Sequence, residues 1–136
     1  MFFNGGKGRI ELSEPKDPLD SDIDIFAQPK GKSNRSIQML SSGEKALVAI
    51  ALLFSIYQVK PSPFCILDEL DAPLDDINVK SFTSVIKEFS RKTQFIIVTH
   101  NKLTMKSSDM MYGITQADNG ISNVLSVNLN KGIVRN

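Results

Sequence analysis

Apolar and polar positions along this chain fall into one long unbroken apolar block followed by two shorter runs of a different kind. Ala46-Leu47-Val48-Ala49-Ile50-Ala51-Leu52-Leu53-Phe54 is apolar throughout. Leu40-Ser41-Ser42-Gly43-Glu44-Lys45 opens it. Ser41 or Ser42 suits a helix N-cap, and Ser41 with Glu44 three residues on fits a capping box. The block is far short of the ~20 residues that span a bilayer, so it predicts a buried helix. Lys60-Pro61-Ser62-Pro63 then breaks the helix. Phe64-Cys65-Ile66-Leu67-Asp68-Glu69 reads as an apolar strand that delivers two carboxylates at its C-terminal end. Asp75 and Asp76 are good N-caps for a second helix, in which Phe82, Val85, Ile86 and Phe89 recur at i, i+3, i+4 and i+7. Arg91-Lys92 closes it with positive charge at the negative end of the dipole. Phe95-Ile96-Ile97-Val98-Thr99-His100 is a second apolar strand, delivering a histidine in the same way. Strand, helix, strand predicts a parallel pair joined by a crossover.

The flanks are simpler. Phe2 to Leu12 predicts the end of a strand, a Gly-rich turn at Asn4-Gly5-Gly6, and a second strand. A chain starting on a strand is expected to be cut from something larger. Ser13 to Ser21, with Pro15, Pro18 and three acidic residues, is a loop. Ile23-Asp24-Ile25-Phe26 is a strand, and Pro29 to Arg35 a basic connector. Lys102 to Ser108 predicts a short helix or turn. Met110 to Thr115 and Asn123 to Leu129 predict closing strands around a turn at Asp118-Asn119-Gly120, and Lys131 to Asn136 a frayed end.

Composition narrows the picture modestly. The 136 residues suffice for one domain with a sizeable core, and 41% hydrophobic residues is ordinary for a soluble globular chain. A net charge of +1 gives no electrostatic case for nucleic acid or membrane. The single cysteine, Cys65, excludes an internal disulfide framework and fits a reducing cytosol; amid a strand it is expected to be a small buried hydrophobe. The N-terminus lacks a basic region followed by an apolar one, so no signal peptide is expected. Two phosphate-loop look-alikes fail. Gly31-Lys32-Ser33 has Phe26 where a glycine is required five residues earlier. Gly5-Gly6-Lys7-Gly8 has a glycine where Ser or Thr would hold magnesium.

Three features carry chemistry. A helix N-terminus presents unpaired N–H groups and a positive dipole end to an anion, although a plain capping box would look the same. Asp68 and Glu69, at a strand end, can both reach the crevice above a sheet where α/β folds bind ligands. Phosphoryl transfer to water needs a magnesium held by a carboxylate and a group that orients the water. An acidic junction capping nearby N–H groups is the bland alternative. A neutral imidazole at His100 can bond a phosphate or the attacking water, yet a lone histidine is more often structural.

In order and spacing, these segments resemble a known family. Leu40 to Lys45 looks like an ABC-type signature motif, Phe64 to Glu69 like a Walker B strand, Ala72-Pro73-Leu74-Asp75 like a D-loop, and His100 stands at the switch histidine. Together, over nearly the full chain, they are similar to the C-terminal half of the SMC (structural maintenance of chromosomes) ATPase head, bacterial type. The resemblance implies an α/β fold: the C-terminal lobe of an ABC-type head, mostly parallel sheet with flanking helices, lacking the Walker A lobe. Within it, 1–36 would be strands and the basic connector, 37–59 the signature and its helix, 60–101 the Walker B, D-loop and switch-histidine region, and 102–136 closing strands. It implies ATP and Mg2+ as ligands, Asp68 on the metal, Glu69 as general base and His100 beside the γ-phosphate. Ser41, Ser42, Gly43 and Glu44 would close on ATP held by a second head, with Asp75 working across the same interface. Ser42 departs from the family's usual Gly-Gly pair. The implied partners are a second SMC head, the N-terminal half of the same head, a kleisin-type subunit with its accessory protein, and DNA, with no membrane, in the cytoplasm at the nucleoid. A DNA-repair ATPase of the SMC-like group and a degenerate, non-catalytic head are the rival readings. Without a Walker A lysine, the chain by itself is expected to be inactive.

Overall fold

The computed structural model describes residues 5–28, 31, 33, 35–116, 120–129 and 133–135. Strands β1 (Lys7–Leu12), β2 (Ile23–Gln28) and β3 (Arg35–Ser36) form an antiparallel sheet in that order. Ser13 N–H bonds the Asp22 carbonyl at 2.9 Å and closes the loop between β1 and β2. A 3-10 turn at Ile37–Met39 leads into helix α1 (Ser42–Val59). The central unit follows: strand β4 (Phe64–Asp68), helix α2 (Asp76–Phe89) and strand β5 (Gln94–Val98), the two strands parallel and in register from Phe64↔Gln94 to Asp68↔Val98. Helix α3 (Lys102–Ser107) precedes a second antiparallel sheet of β6 (Met110–Gln116), β7 (Ser122–Asn128) and β8 (Ile133–Arg135).

The core sits on one face of the central pair. Ile50 and Phe54 of α1, Leu67 of β4, Leu74, and Val79, Phe82, Val85 and Ile86 of α2 form one buried cluster. Cys65, Phe89, Phe95 and Ile97 pack against it, so alternate positions of both strands face inward. The helical face anticipated at Phe82, Val85, Ile86 and Phe89 is the one that packs, with Val79 completing it. Phe54 and Tyr57 meet the Phe89 ring at 5.3 and 5.9 Å between centroids. The Tyr57 and Thr93 hydroxyls lie 2.8 Å apart and share the Ser62 carbonyl, tying the end of α1 to the Pro-rich turn and to the start of β5.

Four expectations need correction. Among the described residues the only parallel pairing is β4 with β5, and the other paired strands are antiparallel. The physical reason is connectivity, since only α2 provides a crossover between paired strands while the rest are joined by hairpins and loops. Helix α1 is not wholly buried: only Ile50 and Phe54 are, while Leu53, Ile56 and Val59 are 43%, 63% and 86% exposed. An all-round apolar helix can pack only one side on a single core. Residues 133–135, expected to fray, pair with β7 from Asn128↔Ile133 to Ser126↔Arg135. Strands β4 and β5 stop at Asp68 and Val98, leaving Glu69, Thr99 and His100 in loops. The expected Phe2–Asn4 strand end and turn, Lys32 of the phosphate-loop look-alike, and Asp118-Asn119 of the last turn lie outside the described residues.

Two outcomes are expected in denaturation and labelling. Phe82→Ala, at a fully buried position, should lower stability in urea titrations by about 3–5 kcal/mol. Ile77→Ala, on the exposed side of the same helix, should stay within about 0.5 kcal/mol of wild type. Burial raises the Cys65 thiol pKa, so at mildly alkaline pH the folded chain holds less thiolate than the unfolded one. Alkylation should be slower before urea than after it, with the folded chain's rate–pH midpoint displaced upward; an unchanged midpoint would contradict this.

Candidate functional site

The parallel register places two loops side by side at the carboxyl ends of β4 and β5. Glu69 N–H donates to the Val98 carbonyl at 2.9 Å, extending the pairing one step beyond the strand. Glu69 then adopts a φ of 49°, the only positive φ among described non-glycine residues. That conformation is costly for a side-chain-bearing residue, and such outliers gather at functional sites. It ends the strand alternation, and the turn closes through Ala72 N–H to the Glu69 carbonyl at 3.1 Å. The Glu69 carboxylate lies 3.7 Å from His100 Nδ1, with the side chains 60% and 75% exposed. A pair this open to water contributes about 1 kcal/mol at most to stability. Its placement therefore answers to the loops that carry it.

Asp68 is the last residue of β4, exposed on the outer face with Phe64 and Ile66. Magnesium keeps several waters and binds through one or two carboxylates plus phosphate oxygens. An open carboxylate such as Asp68 fits that mode of binding. Among the described residues no group of three or more His, Cys, Asp or Glu could form a closed protein cage.

The start of α1 is built as its sequence indicates. Ser41 is the N-cap: its Oγ accepts from Glu44 N–H at 3.4 Å, while the Glu44 carboxylate accepts from Ser41 N–H at 3.0 Å. Ser42 is the first helical residue, exposed and with φ negative, so the side chain at this position imposes no left-handed backbone. Gly43 is different. A Cβ there would stand 3.3 Å from the Pro73 carbonyl, so the first turn of α1 lies directly on the 72–75 loop. At the end of that loop Asp75 caps α2, its Oδ1 accepting from Asn78 N–H at 2.8 Å. The structure thus brings Glu69 and His100 together, sets Gly43 against the loop ending in Asp75, and leaves Asp68 at the strand end.

Sequence reasoning passed over Asp71, Thr99 and Thr104. Asp71 is a carboxylate only 2% exposed. Its Oδ2 accepts from the Thr99 hydroxyl at 2.7 Å and from the Thr104 hydroxyl. The available signal was their place in the sequence, since Asp71 follows Glu69 by two residues and Thr99 immediately precedes His100. Helix α1 also meets the length and composition of a membrane span, while Ile50 and Phe54 on one side of it belong to the buried cluster with α2 and β4.

Comparison with known proteins places the chain among relatives of one family. The family model described as RecF/RecN/SMC N terminal domain matches residues 21–123. The chain is 48% identical over 132 residues to the chromosome partition protein Smc of Coxiella burnetii, covering 97% of this chain and 11% of that protein. It therefore spans about a tenth of the length of the relatives it matches. It superposes with a TM-score of 0.85 and 40% identity on a structure from a study of ATP-driven dimerization and DNA-stimulated activation of SMC ATPases, covering 96% of this chain and 78% of that one. The Smc head domain of Pyrococcus furiosus, with an extended coiled coil and bound to the C-terminal domain of ScpA, matches with a TM-score of 0.82 and 42% identity over 96% of this chain and 32% of that chain.

The capping box makes its own prediction. Ser41→Ala should cost about 1 kcal/mol in thermal or urea melts, and Ser41→Asp should recover most of it. Equal stability of Ser41→Ala and wild type would show that the box does not hold the start of α1.

Proposed function

The chain belongs to the SMC family, within the RecF/RecN/SMC group, and we propose that it is the C-terminal part of an ATPase head that engages a second head around ATP. The observation that carries this is the Glu69–His100 pair, delivered by two loops to the carboxyl ends of a parallel strand pair. In this reading Glu69 takes the proton of the attacking water as its oxygen adds to the γ-phosphorus and the bond from that phosphorus to the bridging oxygen breaks, releasing ADP; His100 bonds the water or the γ-phosphate. Asp68 would hold magnesium through water; when bound, the ion neutralises charge on the phosphates. Ser41, Ser42, Gly43 and Glu44 face the nucleotide of the second head, with Asp75 at the same interface.

The proposed partners follow the same logic. The outer face of β4–β5 exposes Phe64, Ile66, Ile96 and Val98, whereas parallel sheets normally bury both faces. The N-terminal half of the head, with its Walker A, is the proposed cover. The kinship with heads bound to ScpA supports a kleisin-type subunit as a partner, and the accessory protein of that subunit is proposed with it. DNA as the object, chromosome partition as the role and the nucleoid as the place are proposed from the Smc relatives.

Phosphate release tests the reading directly. The chain alone should be inactive, and a head assembled with its N-terminal half should turn over ATP. In that head Glu69→Gln should retain ATP binding and accumulate ATP-dependent dimers while hydrolysis nearly stops. Ser41→Arg should keep nucleotide affinity but lose dimerisation and hydrolysis together. Normal turnover by Glu69→Gln would remove it from the role of base, and ATP-dependent dimers of Ser41→Arg would refute the action across two heads.

A further inference from the structure

Glu69 and His100 lie on separate loops, both are exposed, and a contact of 3.7 Å between solvated side chains does not hold itself in place. Beneath them is a buried connection between the same two loops. The Asp71 carboxylate receives the Thr99 hydroxyl at 2.7 Å, and Thr99 Oγ1 in turn accepts the N–H of Asn101 at 2.9 Å. The residues on both sides of His100 are therefore fixed to one oxygen atom, which is itself tied to Asp71 Oδ2. From α3, Thr104, itself 2% exposed, donates to that same carboxylate oxygen. Asp71 is bound to its own loop as well, since its carbonyl accepts from Leu74 N–H at 3.1 Å. Hydroxyls bonded to a carboxylate away from water are short and strong, and leaving such a carboxylate unsatisfied is costly.

We propose that Asp71 is a positioning residue: through Thr99 it locks the Glu69 loop to the His100 loop and sets the separation of those two side chains. This rests on the ATPase reading given above. Asp71 is too deeply buried to meet a nucleotide, so it acts only through its neighbours. The chemistry of Thr99 is specific to the task, because its one hydroxyl donates to Asp71 and accepts from Asn101 at once. Serine can do both; valine, of nearly the same shape, can do neither.

The test combines turnover with a local probe. His100 is the only histidine of this chain, so selective labelling makes its ring resonances a direct report on the loop. Thr99→Val and Asp71→Ala should displace or broaden those resonances, whereas Thr99→Ser should leave them in place. In the assembled head, the same two variants should lose about 10- to 100-fold in kcat per folded molecule with ATP affinity retained. Thr99→Ser should stay near wild type. Thermal melts establish the folded fraction, and Thr99→Val serves should Asp71→Ala fail to fold. If Thr99→Val melts lower yet keeps wild-type resonances and kcat, Asp71 is merely structural and the proposal is overturned. If the wild-type head shows no Glu69-dependent turnover, the functional reading fails instead. The resonances of Thr99→Val and Thr99→Ser then decide alone whether Asp71 positions His100.

Discussion

The parallel pairing of β4 with β5, ending at Asp68 opposite Val98, is the constraint on which the site depends. With that register, Glu69 and Thr99 are the first residues past the two strand ends, and their loops leave the sheet as neighbours. A slip of one residue would turn every strand side chain to the opposite face. It would expose Cys65, Leu67, Phe95 and Ile97, which now face the core. The register is thus held by the same burial that builds the core, chiefly against Phe82 and Val79 of the crossover helix. The geometry of the candidate site and the stability of the fold share one cause here.

What was legible in the sequence had a short-range physical signature. The period of α2, the capping box at Ser41 and Glu44, and the apolar runs of β4 and β5 each depend on residues a few positions apart. The arrival of Glu69 and His100 at the carboxyl ends of two parallel strands was also anticipated, through the order of motifs and the crossover between them; their 3.7 Å contact was not. Asp71 escaped notice because its meaning is tertiary: a carboxylate beside Glu69 reads as one more acid in a loop until the fold buries it under Thr99 and Thr104. Strand β8 was missed for a related reason. Ile133–Arg135 has little pattern of its own and takes its conformation from pairing with β7. The exposure of α1 was misjudged because an apolar run states that burial is favourable, without stating which side will find a partner.

Two sets of apolar side chains stand exposed, one on α1 and one on the outer face of the parallel pair. Ile56 and Val59 of α1, and Phe64, Ile66, Ile96 and Val98 of the sheet, are all exposed. Isolated apolar residues at a surface are commonplace, but an uncovered face of a parallel pair is not. Burying a single such side chain is worth about 1.5–3 kcal/mol, so several together form a strong demand for a covering layer. The carboxylate of Asp68 lies at the end of that same outer face. Whatever layer covers the face therefore also comes up to Asp68, and docking and metal binding would be built at one border.

The 69–75 loop is where these requirements meet. Glu69 contacts His100, Asp71 receives Thr99 and Thr104, Pro73 backs against Gly43, and Asp75 caps α2. Gly43 allows the first turn of α1 to approach so closely that even a methyl group would crowd the Pro73 carbonyl. Asp71 joins that loop to Thr99, and a buried carboxylate cannot exchange its two hydroxyls for water without exposing itself. The start of α1 and the Glu69–His100 pair thus rest on one short loop. A surface that meets the start of α1 from outside would therefore lie one turn away from the segment that holds the proposed base.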